Sequence, residues 1–492
     1  MKNIVYVLLL NVVFGLSISL SKAQNNNTWI LGDNGSPTKC GINFNNNFHA
    51  DTFSVATTLS MHWSIVSISD SIGQLQFYSN GIDIFNRFHT PLSNAENFNP
   101  GLFSSHDSLY GLSIFDGLIC VPNPDQRGRY FLFHESADTI FSGLQTQARP
   151  LNLRYSEIDM HLSSDSGGVI PNIKSKFAII DSLTIGRLAA VKHANGRDWW
   201  VICHKYNSNI FYEILVTPDS IHQAISQNIG LNDPPTMNYY GQAIFSDDGS
   251  KYAIQILATT VELFDFDRCT GQLSNPIYLN ISDSTYALTG ESFSPTGRFL
   301  YINNNFKIYQ FDLASSNVVN SKQQIAVLDT THFQGYFRTN RLGPDGRIYI
   351  CYRSGDSLIH YIENPDSLGL NCNVHQFGFV IPSGNAAYGL PNFPNYDLGA
   401  LSGGDCDTLN SIISDIKSEE FWISPNPCHD YISLHANLKG HSVILIRNTL
   451  GKILLQSSFD NENISIDWLP SGVYFISIIN NEKQFLRKIV KY

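Results

Sequence analysis

Short apolar alternations separated by polar turns fill the chain from residue 28 to about residue 400. A typical copy begins at Ser246, passes through Asp248 and Gly249, and continues into an apolar alternation that ends at Ile254. Successive side chains of a strand point to opposite faces, and Asp-Gly or Asn-Gly supplies the positive φ that a tight turn needs. The pattern therefore predicts β-hairpins along most of the sequence.

The hairpin pattern recurs at a nearly regular interval. The turn glycines of the copies are Gly73, Gly128, Gly196, Gly249, Gly297 and Gly346. The last three steps between them are 53, 48 and 49 residues. A four-stranded unit that repeats every roughly 40–50 residues is typical of a β-propeller blade. We predict an all-β fold with a β-propeller over residues 24–400 and seven blades. Six or eight blades stay open, as does a set of unrelated hairpins in β-sandwiches.

Two apolar segments, residues 28–32 and 387–393, lie outside the marked copies. They could share the seventh blade, because strands from both ends of the propeller would close the ring and remove an open sheet edge.

The first 23 residues have the pattern of a targeting signal. Lys2 precedes an apolar run from Ile4 to Leu20, and a small residue, Ala23, follows shortly after. This order predicts a secretory signal peptide over residues 1–23, with cleavage between Ala23 and Gln24. The alternative is an uncleaved membrane anchor, but polar residues interrupt the run and make it weak for a membrane span. No second apolar stretch has spanning length, so we expect no transmembrane span in the mature chain.

Composition and charge change near residue 400. Residues 401–420 are polar and begin with a Gly- and Ser-containing stretch, which predicts a linker. Residues 421–492 contain six or seven short apolar alternations, which predict a small β-sandwich. This tail carries seven basic and five acidic side chains and the first 23 residues carry two lysines, so −15 of charge falls on the residues between them. Such an acidic region argues against a nucleic-acid partner, and the charge shift supports a domain boundary.

Several segments of the propeller region resemble propeller proteins that Bacteroidota export. Trp29-Ile30-Leu31-Gly32 is similar to their Trp-x-Phe-Gly opening, and residues 74–87 and 388–393 fit the same pattern. The resemblance covers most of residues 28–399 and implies a WD-repeat-like propeller. It implies no reaction.

Three motifs in the tail resemble the C-terminal sorting domain of the type IX (Por) secretion system. They are a Pro-Asn-Pro opening, a Leu-x-x-Gly-x-Tyr core and a basic-apolar ending. The resemblance assigns the sorting signal to Pro425, Asn426, Pro427, Gly451, Leu469, Gly472, Tyr474, Lys488 and Lys491. It implies that the secretion machinery is a partner, that the tail is removed, and that the protein is secreted or attached to the cell surface. An immunoglobulin-like accessory domain is the alternative.

Motifs of catalysis and cofactor binding are missing from the sequence. There is no G-x-S-x-G, H-E-x-x-H, Walker loop or G-x-G-x-x-G, and the eight cysteines include no CxxC pair. We therefore expect no metal and no cofactor, and catalytic residues stay unknown. His193, His204 and Lys205 lie near Trp199 and Trp200 and are a candidate sugar or anion site, although such residues are more often ordinary strand and turn positions.

Two classes of function stay open for the propeller. We favour an exported, non-catalytic protein that binds a glycan or protein ligand on the propeller face. The alternative is a hydrolase or lyase that acts on extracellular polysaccharide from the central funnel. A cluster of acidic side chains in the funnel with raised pKa values would favour this alternative.

Overall fold

The computed structural model describes residues 25–32, 39–46, 49–101, 110–112, 114–136, 138–142, 145–232, 241–257, 259–281, 290–331, 335–352, 357–382, 389–401, 406, 421–436, 442–448, 453–458, 463–480 and 484–492. The chain divides into two compact units, Met1–Gly404 and Asp405–Tyr492, which we describe separately. The predicted bounds 1–23, 24–400, 401–420 and 421–492 stay predictions. The predicted cleavage position between Ala23 and Gln24 lies outside the described residues.

The first unit consists almost entirely of antiparallel sheets. Sheet 1 contains β1 (Thr28–Leu31), β2 (Lys39–Asn46) and β3 (His49–Val55). Sheet 2 contains β4 (Val66–Ser69), β5 (Leu75–Ser79) and β6 (Ile84–Asn86). Sheet 3 contains β7 (Leu118–Pro122), β8 (Arg129–Glu135), β11 (Asn152–Asp159), β12 (Gly168–Val169) and β13 (Lys176–Ile180), and a separate hairpin contains β9 (Asp138–Ser142) and β10 (Gln145–Arg149).

The next four sheets each have four strands in chain order. Sheet 4 contains β14 (Ala189–Lys192), β15 (Trp199–His204), β16 (Ile210–Val216) and β17 (Ile225–Asn228). Sheet 5 contains β18 (Ala243–Phe245), β19 (Lys251–Leu257), β20 (Thr260–Asp267) and β21 (Gln272–Asn280). Sheet 6 contains β22 (Gly290–Phe293), β23 (Phe299–Asn303), β24 (Lys307–Asp312) and β25 (Gln323–Val327). Sheet 7 contains β26 (Phe337–Leu342), β27 (Ile348–Tyr352), β28 (Leu358–Ile362) and β29 (Val374–Val380).

Helical structure is limited to short turns among the described residues. They are α1 (Leu162–Asp165) and the 3-10 turns Pro171–Ile173, Val319–Ser321 and Gly369–Cys372.

The seven sheets surround a common axis. The first strand of each sheet adjoins the first strand of the next, from β1 through β4, β7, β14, β18 and β22 to β26. Sheets 7 and 1 meet where the rings of Trp29 and Tyr349 pack edge to face, with centroids 5.6 Å apart. Repeated four-stranded units around one axis are the β-propeller architecture. The predicted propeller fold is confirmed, and the count of seven blades stays a prediction.

The turn chemistry that predicted the hairpins is present in the structure. All six turn glycines have φ between 71° and 82°, a range that side chains with a Cβ rarely adopt. The innermost strands are buried on both faces, as in β4 and β22, because neighbouring sheets cover them. The alternating pattern of the sequence therefore places its most apolar positions between the sheets.

The structure differs from the prediction at the end of the propeller. Residues 28–31 form β1, as expected, but they pair with β2. Residues 389–393 form no strand, and residues 387–388 lie outside the described part of the chain. Pro391 and Pro394 lack the N–H that a sheet ladder requires, which explains why this segment adds no strand to the ring.

The second unit is a small pair of antiparallel sheets, which agrees with the predicted β-sandwich. One sheet contains β30 (Phe421–Ser424), β31 (Tyr431–Ala436) and β34 (Asn463–Ser465). The other contains β32 (Ser442–Asn448), β33 (Ile453–Ser458), β35 (Gly472–Asn480) and β36 (Gln484–Lys491). Ile432, Leu434, Ile444, Ile476 and Ile489 are among the residues of their shared core.

Candidate functional site

A belt of buried polar side chains lines the axis, in or beside the innermost strands. We call it the polar belt, and it contains Asp116, Glu135, Arg187, Gln242, Glu291, Asn340 and Arg341. Gln242 joins two of its neighbours, because its Oε1 accepts the N–H of Glu291 at 3.1 Å and its Nε2 donates to the carbonyl of Asn340 at 2.8 Å. The belt thus links sheets 5, 6 and 7 through side chains rather than through strand pairing.

One ion pair of the polar belt is completely enclosed. Arg341 Nη2 lies 2.7 Å from Asp116 Oδ1, and both side chains are at most 3% exposed. Burial raises the pKa of Asp116, and the attraction of Arg341 opposes that rise. Removing either partner would leave an uncompensated charge in the interior, which is strongly destabilising. The pair therefore connects sheet 7 rigidly to the segment that precedes β7.

Two other carboxyl groups of the polar belt have perturbed acidity. Burial raises the pKa of Glu135 well above its ordinary value, although the N–H of Gly186 donates to its Oε2 at 3.0 Å. Burial likewise raises the pKa of Glu291, and the nearby Arg187 opposes the shift. A carboxyl that retains its proton near neutral pH can act as a general acid. The acidic cluster that would favour an enzyme is therefore present, with every member buried.

A segment without secondary structure, residues 389–401, runs along the axis, and we call it the axial segment. Asn392 is its central residue: Nδ2 donates to the carbonyls of Leu118 and Leu188, both at 2.8 Å, and Oδ1 accepts from Arg341 Nη2 at 2.8 Å. The N–H of Asn392 donates to the carbonyl of Ile65. One asparagine thus contacts four parts of the ring.

Further contacts fix the rest of the axial segment. The hydroxyl of Tyr396 donates to the carbonyl of Cys120 at 2.9 Å. Arg268 Nη2 donates to the carbonyl of Gly399 at 2.6 Å, and the N–H of Leu401 donates to the carbonyl of Ala194. These bonds reach sheets 3, 4 and 5, so the axial segment fastens the ring from within.

A cavity of about 440 Å³ lies beside the axial segment and β14, where β18, β22 and β26 end. Its polar lining includes Asp247, Thr296 and Asn395, and its apolar lining includes Phe245 and Phe393. The side-chain amide of Asn395 donates to the carboxylate of Asp247 at 2.8 Å. The cavity thus combines aromatic surface with hydrogen-bonding groups at the centre of the propeller face.

Three members of the candidate group, Trp199, Trp200 and His204, lie in the core. Both indoles are at most 5% exposed, and Trp200 Nε1 donates to the carbonyl of Arg268 at 2.9 Å. His204 is buried, its Nδ1 lies 2.9 Å from the hydroxyl of Thr184, and burial lowers its pKa to about 3. Trp199, Trp200 and His204 therefore present no surface to a ligand. His193 and Lys205 are half-buried, and Lys205 Nζ lies 2.7 Å from Asp181 Oδ2.

Two of the three tail motifs meet in the structure. Asn426 donates from Nδ2 to the carbonyl of Lys488 at 2.9 Å and accepts the N–H of Val490 at 2.9 Å. The Pro-Asn-Pro turn therefore attaches to β36, although Pro425, Asn426 and Pro427 are exposed.

The Leu-x-x-Gly-x-Tyr motif supports the same fold. Leu469 and Tyr474 lie in the core, and the Tyr474 hydroxyl donates to the carbonyl of Pro470 at 2.7 Å. Gly472 pairs with Lys491 across β35 and β36. Lys488 is exposed and Lys491 is 7% exposed, while Gly451 lies outside the described residues. The assignment of these residues to a sorting signal stays a prediction.

No helix among the described residues is both long and apolar enough to cross a membrane. Within the same part of the chain, no group of three or more His, Cys, Asp or Glu side chains is arranged to hold a metal ion.

The tail matches a known family. Residues 423–492 match the family model of the secretion system C-terminal sorting domain. No curated protein matches the chain. The match therefore concerns the second unit and indicates export to the cell surface or secretion.

Solved structures similar to the chain include several propellers. The periplasmic gluconolactonase of Pseudomonas aeruginosa is 13% identical, with 94% of this chain and 99% of that chain covered and a TM-score of 0.38. PorZ of Porphyromonas gingivalis, a surface component of the type IX secretion system, is 12% identical, with 94% and 70% covered and a TM-score of 0.28. The β-propeller domain of Cps50 from Myceliophteria thermophila is 13% identical, with 72% and 98% covered and a TM-score of 0.28. Similarity at this level says nothing about activity. The chain is a β-propeller with a C-terminal sorting domain, and the tail marks it as cargo of the type IX secretion system.

Proposed function

We propose that the protein is delivered to the cell surface or the medium and binds a glycan fragment in its central cavity. A signal peptide over residues 1–23 would carry it across the inner membrane, and the sorting domain would direct it across the outer membrane. The observation that supports ligand binding is the cavity of about 440 Å³ beside the axial segment. This volume falls within the range of small-molecule sites, about 300–1,000 Å³.

The lining of the cavity suits a neutral, polyhydroxylated ligand. Phe245 and Phe393 are half-buried and offer apolar surface, while Asn395 and Thr296 offer groups that can donate and accept hydrogen bonds. Asp247 and the net charge of −15 on residues 24–420 disfavour anionic ligands. A short neutral oligosaccharide has the matching combination of apolar ring faces and hydroxyl groups.

Glycan binding by the mature chain tests this proposal, first on a glycan array and then by titration calorimetry. Asn395→Trp would fill part of the cavity, so we expect it to weaken binding at least tenfold. Asn320→Trp is the control, because it adds the same side chain at an exposed position away from the cavity. Equal affinity of both variants and the wild type would contradict binding in the cavity.

A second candidate function is cleavage of extracellular polysaccharide, by hydrolysis as a hydrolase or by elimination as a lyase. The observation that favours it is the set of buried carboxyls in the polar belt, whose pKa values are raised by burial. Release of reducing sugar from polysaccharides would distinguish the two. If the protein is an enzyme, Glu291→Gln abolishes sugar release while leaving glycan affinity unchanged. If it only binds, the wild type releases no sugar.

A further inference from the structure

The motif residues that identify the tail as a sorting domain make their contacts within the tail itself. Leu469 and Tyr474 are at most 6% exposed, and the side-chain amide of Asn426 is hydrogen-bonded to β36. Residues with such internal roles are poor candidates for direct contact with another protein. A receptor has to touch side chains that the fold leaves exposed.

Exposed aromatic side chains of the tail cluster at one end of β31 and β34. Tyr431, Trp468 and Tyr492 are 57%, 49% and 65% exposed, and we call them the aromatic rim. Tyr431 lies opposite Ser465 in the ladder between β31 and β34, and Trp468 Nε1 donates to the carbonyl of the same Ser465 at 3.2 Å. Tyr431 and Trp468 therefore flank one residue.

Tyr492 joins this neighbourhood through two contacts. Its ring centroid is 5.9 Å from that of His429, two positions before Tyr431. Asp467, next to Trp468, accepts a hydrogen bond from Ser465 and is also attracted by Lys491, next to Tyr492. Tyr431 and Trp468 thus lie on either side of Ser465, and Tyr492 packs on the segment that leads into β31.

We propose that the aromatic rim is the surface by which the outer-membrane secretion machinery recognises this sorting domain. Trp and Tyr carry a large share of binding energy at protein interfaces, because they bury much apolar area and keep one polar atom. The matched family indicates the partner, because a sorting domain must be bound by a protein of the export apparatus. The expected partner surface is an apolar pocket with hydrogen-bond acceptors at its edge. This proposal rests on the proposed export function.

The test is delivery of the full chain in a bacterium that has a type IX secretion system. We expect Tyr431→Ser/Trp468→Ser to reduce the amount at the surface and in the medium at least tenfold, with a protease-resistant form in the periplasm. Tyr431→Lys changes one exposed side chain without affecting the core and should reduce delivery at least threefold. Phe88→Ser is the control, because Phe88 is an equally exposed aromatic residue of the propeller, at 59%. Normal delivery of a rim variant would overturn the proposal.

Two further experiments separate failure of the aromatic rim from failure of the export function and test other binding partners. A chain that lacks residues 421–492 distinguishes the two proposals: if it too is delivered normally, the export function fails, and if it is trapped while the rim variants pass, only the rim fails. Sedimentation of purified wild type and variant chains, alone and with phosphatidylethanolamine vesicles, tests the other occupants. A dimer or a vesicle complex that the rim variants abolish would overturn recognition by the secretion machinery.

Discussion

Asn392→Ala tests whether the axial segment fastens the propeller. The side chain of Asn392 is 3% exposed and makes three hydrogen bonds, to two carbonyls and one guanidinium. A buried group left without its partner costs about 1–3 kcal/mol, so the upper limit is about 9 kcal/mol. Water that enters the vacated space restores part of this, and Arg341 keeps its bonds to Asp116 and Pro391. We expect the free energy of unfolding to fall by about 3–5 kcal/mol.

Urea unfolding of the full chain, followed by tryptophan fluorescence, measures this loss. Asn395→Ala is the matched control, because Asn395 belongs to the same segment but makes exposed hydrogen bonds, to Asp247 and to the N–H of Asp397. Its free energy of unfolding should fall by less than about 1 kcal/mol. A loss below about 1 kcal/mol for Asn392→Ala, equal to that of the control, would refute the fastening role of the axial segment.

Three other predictions concern single positions. Burial lowers the pKa of His360 to about 3, below the unfolded value of about 6.5. The neutral imidazole therefore contributes fully to stability above pH 6.5, and this contribution is lost as the pH falls toward 3. Unfolding measured at pH 7 and pH 5 should therefore show that the wild type loses about 2 kcal/mol more than His360→Phe. Gly186→Ala should cost at least about 3 kcal/mol in urea unfolding, because its Cβ would lie 2.0 Å from the carbonyl oxygen of Phe115, whereas Gly346→Ala, with nothing nearer than 3.9 Å, should cost less. Tyr474→Phe removes the hydrogen bond of 2.7 Å from the Tyr474 hydroxyl to the carbonyl of Pro470. Thermal melting should therefore show a tail destabilised by about 1 kcal/mol, while the amount of protein delivered to the surface stays unchanged.

The periodic part of the fold could be predicted from the sequence. Each turn copy places a glycine between apolar alternations, preceded by Asp or Asn in three of the six copies, and hairpins follow from that local chemistry. The sorting domain could also be predicted, because its motifs are local and occur in order. The structure gives these motifs a physical reason: Asn426 bonds to β36 and Tyr474 closes its own turn.

The axial segment and the polar belt could not be predicted, because both depend on contacts between distant parts of the chain. Asn392 bonds to carbonyls 274 and 204 residues away. A weak signal for the belt exists: Gln242, Glu291 and Asn340 are polar residues within three positions of the end of an innermost strand. Recognising it would have required aligning the repeats on their inner strands rather than on their turns.

The two tryptophans of the candidate group lie in the core rather than on a surface, and the sequence could not show this for a related reason. A sequence cannot distinguish an aromatic pair on a propeller face from one between two sheets, since both follow the same alternation. Here Trp200 packs toward the next sheet, with its ring within 3.0 Å of the position that a Cβ on Gly271 would occupy.

The location of a chain that lacks residues 473–492 tests export through the tail most directly. The deletion removes β35 and β36 and leaves the propeller sequence intact. Fractionation with immunodetection should find the wild type at the surface or in the medium and the shortened chain in the periplasm. Normal surface delivery of the shortened chain would contradict the account.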